Sequence, residues 1–117
     1  MKTKNLQIKT NHRKYNIIIG SDLVSKVLKI AKKNSINFKK CLLVIDKNIS
    51  KNIVLKLRKS LKRKKIYTHL FEANEKNKNQ KNVNRILDVM LHNNFSREDC
   101  LISIGGGITG DVSGFAA

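Results

Sequence analysis

Gly105, Gly107 and Gly110 stand at G-x-G-x-x-G spacing, with Gly106 between the first two and Asp111 directly after the last. The apolar run Cys100 to Ile104 leads into them, and Thr109 to Ala117 suits the start of a helix. A strand, a glycine turn and a helix in that order make a place for phosphate. Glycine reaches backbone angles closed to other residues and lets a ligand approach the main chain. The unpaired N–H groups of a helix start, at the positive end of its dipole, suit a pyrophosphate. A carboxylate would repel phosphate, so Asp111 is expected to cap the turn or to hold a hydroxyl or amide of the ligand. The same spacing also serves a tight strand-to-helix turn in which glycine only eases packing. A standard dinucleotide fold has this turn after its first strand and an acid roughly twenty residues later. Here the turn comes late, so an acidic partner must come from upstream.

The elements that would position this turn are legible as periodicities. Leu6 and Ile8 alternate with polar residues, and Tyr15 to Ile19 follows as a second strand, joined through Thr10 to Lys14. Gly20-Ser21-Asp22 reads as a turn with a helix N-cap, and Leu23, Val24, Val27, Leu28 and Ala31 form a helical stripe. Cys41 to Ile45 is a continuous apolar run, as in a parallel strand buried on both faces. A helix with Ile49, Ile53, Leu57 and Leu61 on one side follows, then a strand over Ile66 to Phe71. After a polar loop, Glu72 to Gln80, a third helix carries Val83, Ile86, Leu87, Met90 and Leu91. The alternation predicts an α/β fold: a Rossmann-like parallel sheet with right-handed crossovers, preceded by a β-ribbon.

Ligands of open parallel sheets bind beyond the carboxyl ends of the strands. Three such ends carry polar residues here: Asp46 and Asn48 at the first, Glu75 and Lys78 at the second, and the glycine turn at the third. Asp46 suits ribose hydroxyls or the start of the next helix. Lys78 suits phosphate, although Glu75 and Lys78 are equally ordinary as solvated loop charge. His12, His69 and His92 have no Cys or carboxylate at metal-ligand spacing, so no metal or catalytic role is assigned to them. Cys41 and Cys100 read as small core residues of a reducing compartment, without a disulfide.

The 117 residues make one domain or a piece of one, with 40% hydrophobic content for a core. No apolar run reaches the roughly twenty residues of a membrane span, and the N-terminus lacks the apolar stretch of a secretory signal. A cytoplasmic location without a membrane partner is therefore expected. The net charge of +17 comes mostly from lysine spread along the whole chain, with Lys62 to Lys65 the densest cluster. Aromatics are 5%, and no zinc-finger or RNP-like pattern occurs. Lysine and asparagine together suggest a compositional bias over an ordinary fold. The charge is accordingly read as solvated surface rather than a nucleic-acid patch, and a basic nucleic-acid-binding module is kept as an alternative class.

On these residues the chain resembles the N-terminal part of the 3-dehydroquinate synthase family, among the sugar-phosphate cyclases. The matching pieces are YNIIIGSDLV, LLVIDKNI, the NEKNK loop with NVNRILDVMLHNNFSRED, and LISIGGGITGDVSGFAA. The resemblance implies catalytic NAD acting on 3-deoxy-D-arabino-heptulosonate 7-phosphate, in the shikimate route to chorismate and the aromatic amino acids. A divalent metal, zinc or cobalt, would polarise the substrate hydroxyl. It also implies that Asp46 and Asn48 hold the adenosine ribose and that Glu75 and Lys78 contact the cofactor. Gly106, Gly107, Ile108, Thr109 and Gly110 would wrap the pyrophosphate, and Asp111 would orient the nicotinamide side. The family's loop usually has an acid and a glycine before the glutamate, where Ala73-Asn74 stands here; Thr109 replaces an aliphatic residue. The resemblance further implies that residues 1–117 are an incomplete NAD-binding domain, inactive alone. The metal ligands and most substrate residues of the homodimeric enzyme would lie in an absent C-terminal domain. Other sugar-phosphate cyclases and metal-dependent polyol dehydrogenases share the glycine turn and remain alternatives.

Overall fold

The computed structural model describes residues 2–117. Its central strand is β3, Lys40–Asp46, paired in parallel with β4, Lys65–Phe71, on one side and with β5, Cys100–Ile104, on the other. The register sets Cys41 against Ile66 and Cys100, and Ile45 against Leu70 and Ile104. With helices on both faces of the sheet, the successive side chains of β3 from Cys41 to Ile45 are all buried. Cys41, Leu43 and Ile45 join Phe38, Leu57 and Leu61 in one cluster. Leu42 and Val44 join Phe71, Val83, Ile86, Val112 and Ala116 in the other. The unbroken apolar run over residues 41–45 is thus the signature of a two-sided strand, as its composition predicts. Each such branched chain contributes about 1.5–3 kcal/mol by leaving water.

The crossovers explain which helix lies where. Helix α2, Lys51–Ser60, joins β3 to β4 and packs Leu57 into the first cluster. Helix α3, Gln80–His92, returns from β4 to β5 and packs Val83 and Ile86 into the second. Reversing direction along the sheet while keeping right-handed crossovers requires this change of face. Helix α4, Gly107–Ala116, follows β5 and lies beside α3. Local caps mark the starts. The Ser50 hydroxyl accepts from the Ile53 amide at 3.4 Å, and Asn79 Oδ1 accepts from the Asn82 amide at 3.0 Å.

The N-terminal ribbon pairs β1, Lys4–Lys9, with β2, Lys14–Ile19, antiparallel, and forms a sheet separate from the parallel one. Its turn is closed by the Arg13 amide donating to Thr10 Oγ1 at 3.0 Å. The first helical stripe differs from the expectation of one capped helix. It is a 3-10 turn, Leu23–Lys26, followed by α1, Val27–Lys33. Asp22 is left-handed, with φ 51°, and makes no side-chain cap. Its carboxylate instead accepts from Ser25 Oγ at 2.8 Å and from Lys56 Nζ at 3.4 Å. These bonds, the Ser25 hydroxyl's first, hold the Asp22 carboxyl below the usual carboxylate range. No helix of the described residues is long and apolar enough to cross a membrane.

Candidate functional site

Because β3 and β5 are neighbours, their carboxyl ends bring Asp46 against the glycine turn. Gly105 leaves β5 with φ +154°, a conformation that L side chains rarely adopt. A methyl group there would lie 2.7 Å from Thr109 Oγ1 and 3.1 Å from the Asp46 Cβ. The first glycine is therefore a structural necessity, threading the backbone between an acid and a threonine. Gly106, Gly107 and Gly110 are different. A Cβ at any of them would meet nothing within 4 Å, so the backbone is open to a ligand over this stretch.

Helix α4 starts at Gly107, with Gly106 extended at its N-cap and no side chain capping it; the sequence pattern had suggested Thr109. The first helical hydrogen bond runs from the Gly110 amide to the Gly106 carbonyl at 3.1 Å. The amides before Gly110 thus stand at the positive end of the helix without an intrahelical acceptor. Ile108 is half-buried and packs on the second cluster. The Thr109 side chain is fully buried and turned under Gly105, and its hydroxyl has no partner, like that of Ser113 one turn on.

Asp46 is half-buried at the end of β3. One carboxylate oxygen accepts from the Asn48 amide at 3.0 Å, folding the chain toward α2, whose cap is Ser50. Asn48 itself is exposed. Beyond β4, Asn74 caps a 3-10 turn, Glu75–Asn77, by accepting from the Asn77 amide at 2.9 Å. Its φ is −146°, so the residue that replaces a customary glycine needs no left-handed conformation. Lys78 follows and pairs with Asp111 at 3.1 Å. That hydrogen bond, with the charges of Asp111 and Glu75, raises the Lys78 pKa. Asp111 is thus a helical residue paired across to the loop after β4, and the expectation that it caps the turn is not met. The pair borders a cleft of about 210 Å³ lined also by Asn79, Gln80, Val83, Val112 and Phe115. Phe115, 74% exposed, was not singled out in the sequence; an aromatic on the outer side of a short helix is the signal that could have marked it.

Other reactive groups stay out of the site. Cys41 and Cys100 are free thiols in register on adjacent strands. Burial pushes the Cys41 thiol up to about 11 and raises that of Cys100, so neither is a ready nucleophile. Burial and, second, Arg85 lower the His69 pKa, and His92 Nδ1 meets the Asp88 carbonyl at the end of α3. Among the described residues no three His, Cys, Asp or Glu side chains converge as a metal centre.

The arrangement defines an α/β domain with its ligand edge at the carboxyl ends of a parallel sheet. Its fold is that of 2-deoxy-scyllo-inosose synthase, whose crystal structure matches 97% of this chain and 32% of that one with a TM-score of 0.83 at 22% identity. A further structure of that enzyme, complexed with carbaglucose-6-phosphate, NAD+ and Co2+, matches equally well. The family model described as 3-dehydroquinate synthase N-terminal matches residues 68–117. The 3-dehydroquinate synthase of Pelagibacter ubique (strain HTCC1062) is 58% identical over 112 residues, 96% of this chain and 30% of that relative. That of Bartonella quintana (strain Toulouse) is 33% identical over 123 residues, 100% of this chain and 33% of the relative. The chain belongs to the 3-dehydroquinate synthase family. It spans about a third of the length of the curated relatives it matches.

Proposed function

We propose that this chain is the NAD-binding part of a 3-dehydroquinate synthase, serving the conversion of 3-deoxy-D-arabino-heptulosonate 7-phosphate into 3-dehydroquinate and phosphate. The observation that carries the reading is the meeting of three segments remote in sequence at one sheet edge: Asp46, the turn from Gly105 to Gly110, and the Lys78–Asp111 pair. The residues fit the cofactor. Three glycines leave the backbone open, and the unpaired amides of α4 suit a pyrophosphate. When bound, NAD would take a hydride from a secondary hydroxyl and later return it.

The chain's own residues bind and orient. Asp46, with one oxygen held by the Asn48 amide, offers the other to ribose hydroxyls. Lys78 borders the cleft, and the charge of Glu75 acts on it from the preceding 3-10 turn. Lys78 is charged throughout the physiological range and can exchange its bond to Asp111 for one to a phosphate oxygen. Asp111, released, can accept from a carboxamide on the nicotinamide side. Among the described residues no three ligating side chains converge for a divalent metal, so no step is routed through one. The 117 residues alone are proposed to bind cofactor without turnover.

The test is calorimetric titration of NAD, with phosphate release measured in parallel. Wild-type chain is expected to bind, and Gly107→Val to lose binding while keeping its circular dichroism, because the new side chain occupies the open approach without touching protein. Unchanged affinity in Gly107→Val would overturn the pyrophosphate assignment. Phosphate release by the 117-residue chain would overturn the proposal that it is inactive alone. A second reading, another sugar-phosphate cyclase, is favoured by the likeness to 2-deoxy-scyllo-inosose synthase; product analysis of a full-length relative with the same glycine turn separates the two.

A further inference from the structure

The charge of this protein is segregated by the fold. Residues 23–71 carry 15 lysines and arginines and one acid, Asp46, whereas residues 72–117 carry five cations and six acids. The first stretch contains α1 and α2, which pack together on one face of the sheet; the second contains α3 and α4 on the other. Counted on the helices alone, α1 and α2 carry seven cations and no acid, whereas α3 and α4 carry two cations and two acids, so the α1–α2 face is the more basic one. A solvated surface that merely reflects composition has no reason to sort its charges this way.

We propose that the α1–α2 face is a docking surface for duplex nucleic acid, engaged through its phosphate backbone. Its centre is a notch of about 360 Å³ lined by Ser25, Lys56, Lys59, Ser60 and Lys62. Lys56, Lys59 and Lys62 are exposed and spaced by three residues, so their ammonium groups lie along one side of α2 and the turn after it. Lys26, in the 3-10 turn packed against α2, and Lys29, exposed on α1, add two cations from the neighbouring segment. The single acid at the notch, Asp22, is already shared between Ser25 and Lys56. The Ser60 hydroxyl adds a neutral donor suited to phosphate oxygens, while the Ser25 hydroxyl is committed to Asp22. Phe38, the aromatic residue of this cluster, is buried, with Lys64 Nζ 5.1 Å from its ring centre. The face thus offers no stacking platform for unpaired bases, which favours a duplex over a single strand. The inference is independent of the cofactor reading, because the glycine turn and this notch involve different residues.

The experiment is fluorescence anisotropy of a labelled 20-base-pair DNA duplex of arbitrary sequence with the 117-residue chain over a salt series. With five cations engaged, the logarithm of the affinity should fall with that of salt at a slope of about −4.5, or roughly 500-fold between 50 and 200 mM. Lys56→Glu/Lys59→Glu/Lys62→Glu should lower affinity at 50 mM at least tenfold and remove about three units of the slope. The matched control outside α1 and α2, Lys76→Glu/Lys81→Glu/Arg97→Glu, makes the same change in net charge and should cost far less. A single strand of equal length should bind more weakly. Absence of wild-type binding at 50 mM salt overturns the proposal, as does an equal loss in the control. Tighter binding of the single strand, or of vesicles of anionic phospholipid at equal salt, also overturns it.

Discussion

At the scale of single residues, the glycines of the turn divide into two kinds that a spacing rule treats alike. Gly105 is demanded by the protein itself, through a positive φ and a contact with Thr109 and Asp46. Gly106, Gly107 and Gly110 face open space and are demanded by nothing inside the chain. Gly105→Ala should therefore destabilise the fold by about 1–3 kcal/mol, read as a lower denaturation midpoint in urea, without cofactor present. Gly107→Val should leave that midpoint nearly unchanged. Equal midpoints for the two variants would contradict this division. The G-x-G-x-x-G pattern was legible because it is local, but the inward turn of Thr109 was not. Which side of a helix's first turn faces the core depends on what lies beneath it, here the end of β5.

At the scale of elements, the connections are held by side chains that reach far along the chain. Lys40, at the start of β3, donates to the Asn93 and Asn94 carbonyls at 2.7 and 2.9 Å. Its ammonium also lies 3.7 Å from an Asp99 oxygen and 4.9 Å from the centre of the Phe95 ring. A single cation thus satisfies the carbonyl end of α3 and fixes the loop into β5, where a basic group suits the helix dipole. Lys40→Met keeps the aliphatic stem and removes the donor. The expected cost is about 1–3 kcal/mol, measured by urea denaturation, because partly buried carbonyls and a carboxylate lose their partner. Lys64 does similar work by donating to the Phe38 carbonyl at 2.6 Å. Neither role was legible among so many lysines; the periodicities located the strands and helices, while these contacts span more than twenty residues.

At the scale of the whole molecule, charge and topology set the behaviour. A net charge of +17 is opposed by three ion pairs among the described residues. Self-repulsion therefore outweighs pairing, and the thermal midpoint should rise as salt is raised from 20 to 300 mM, when the screening length falls well below the size of the domain. A midpoint that falls with salt would show that the ion pairs dominate. Topology makes β5 an edge strand of nearly pure apolar composition. Grooves flank it on both faces, one lined by Leu87, Met90 and Phe95, the other by Val27, Ile30 and Phe38. Since α4 lies on the same face as α3, a strand following it by a right-handed crossover would pair with this free edge.

The amino-acid order alone determined the alternation of strands and helices, the two-sided burial of residues 41–45 and the glycine turn at the end of a strand. Each of these is written in a spacing of two to five residues, and local backbone geometry reads such spacings directly. Tertiary structure alone decided that Asp46 lies against Gly105, that Lys78 bonds Asp111 and that Lys40 closes the loop into β5. Those outcomes depend on strand order and crossover hand. The sheet forms by pairing segments dozens of residues apart, and no local periodicity records which strand becomes whose neighbour.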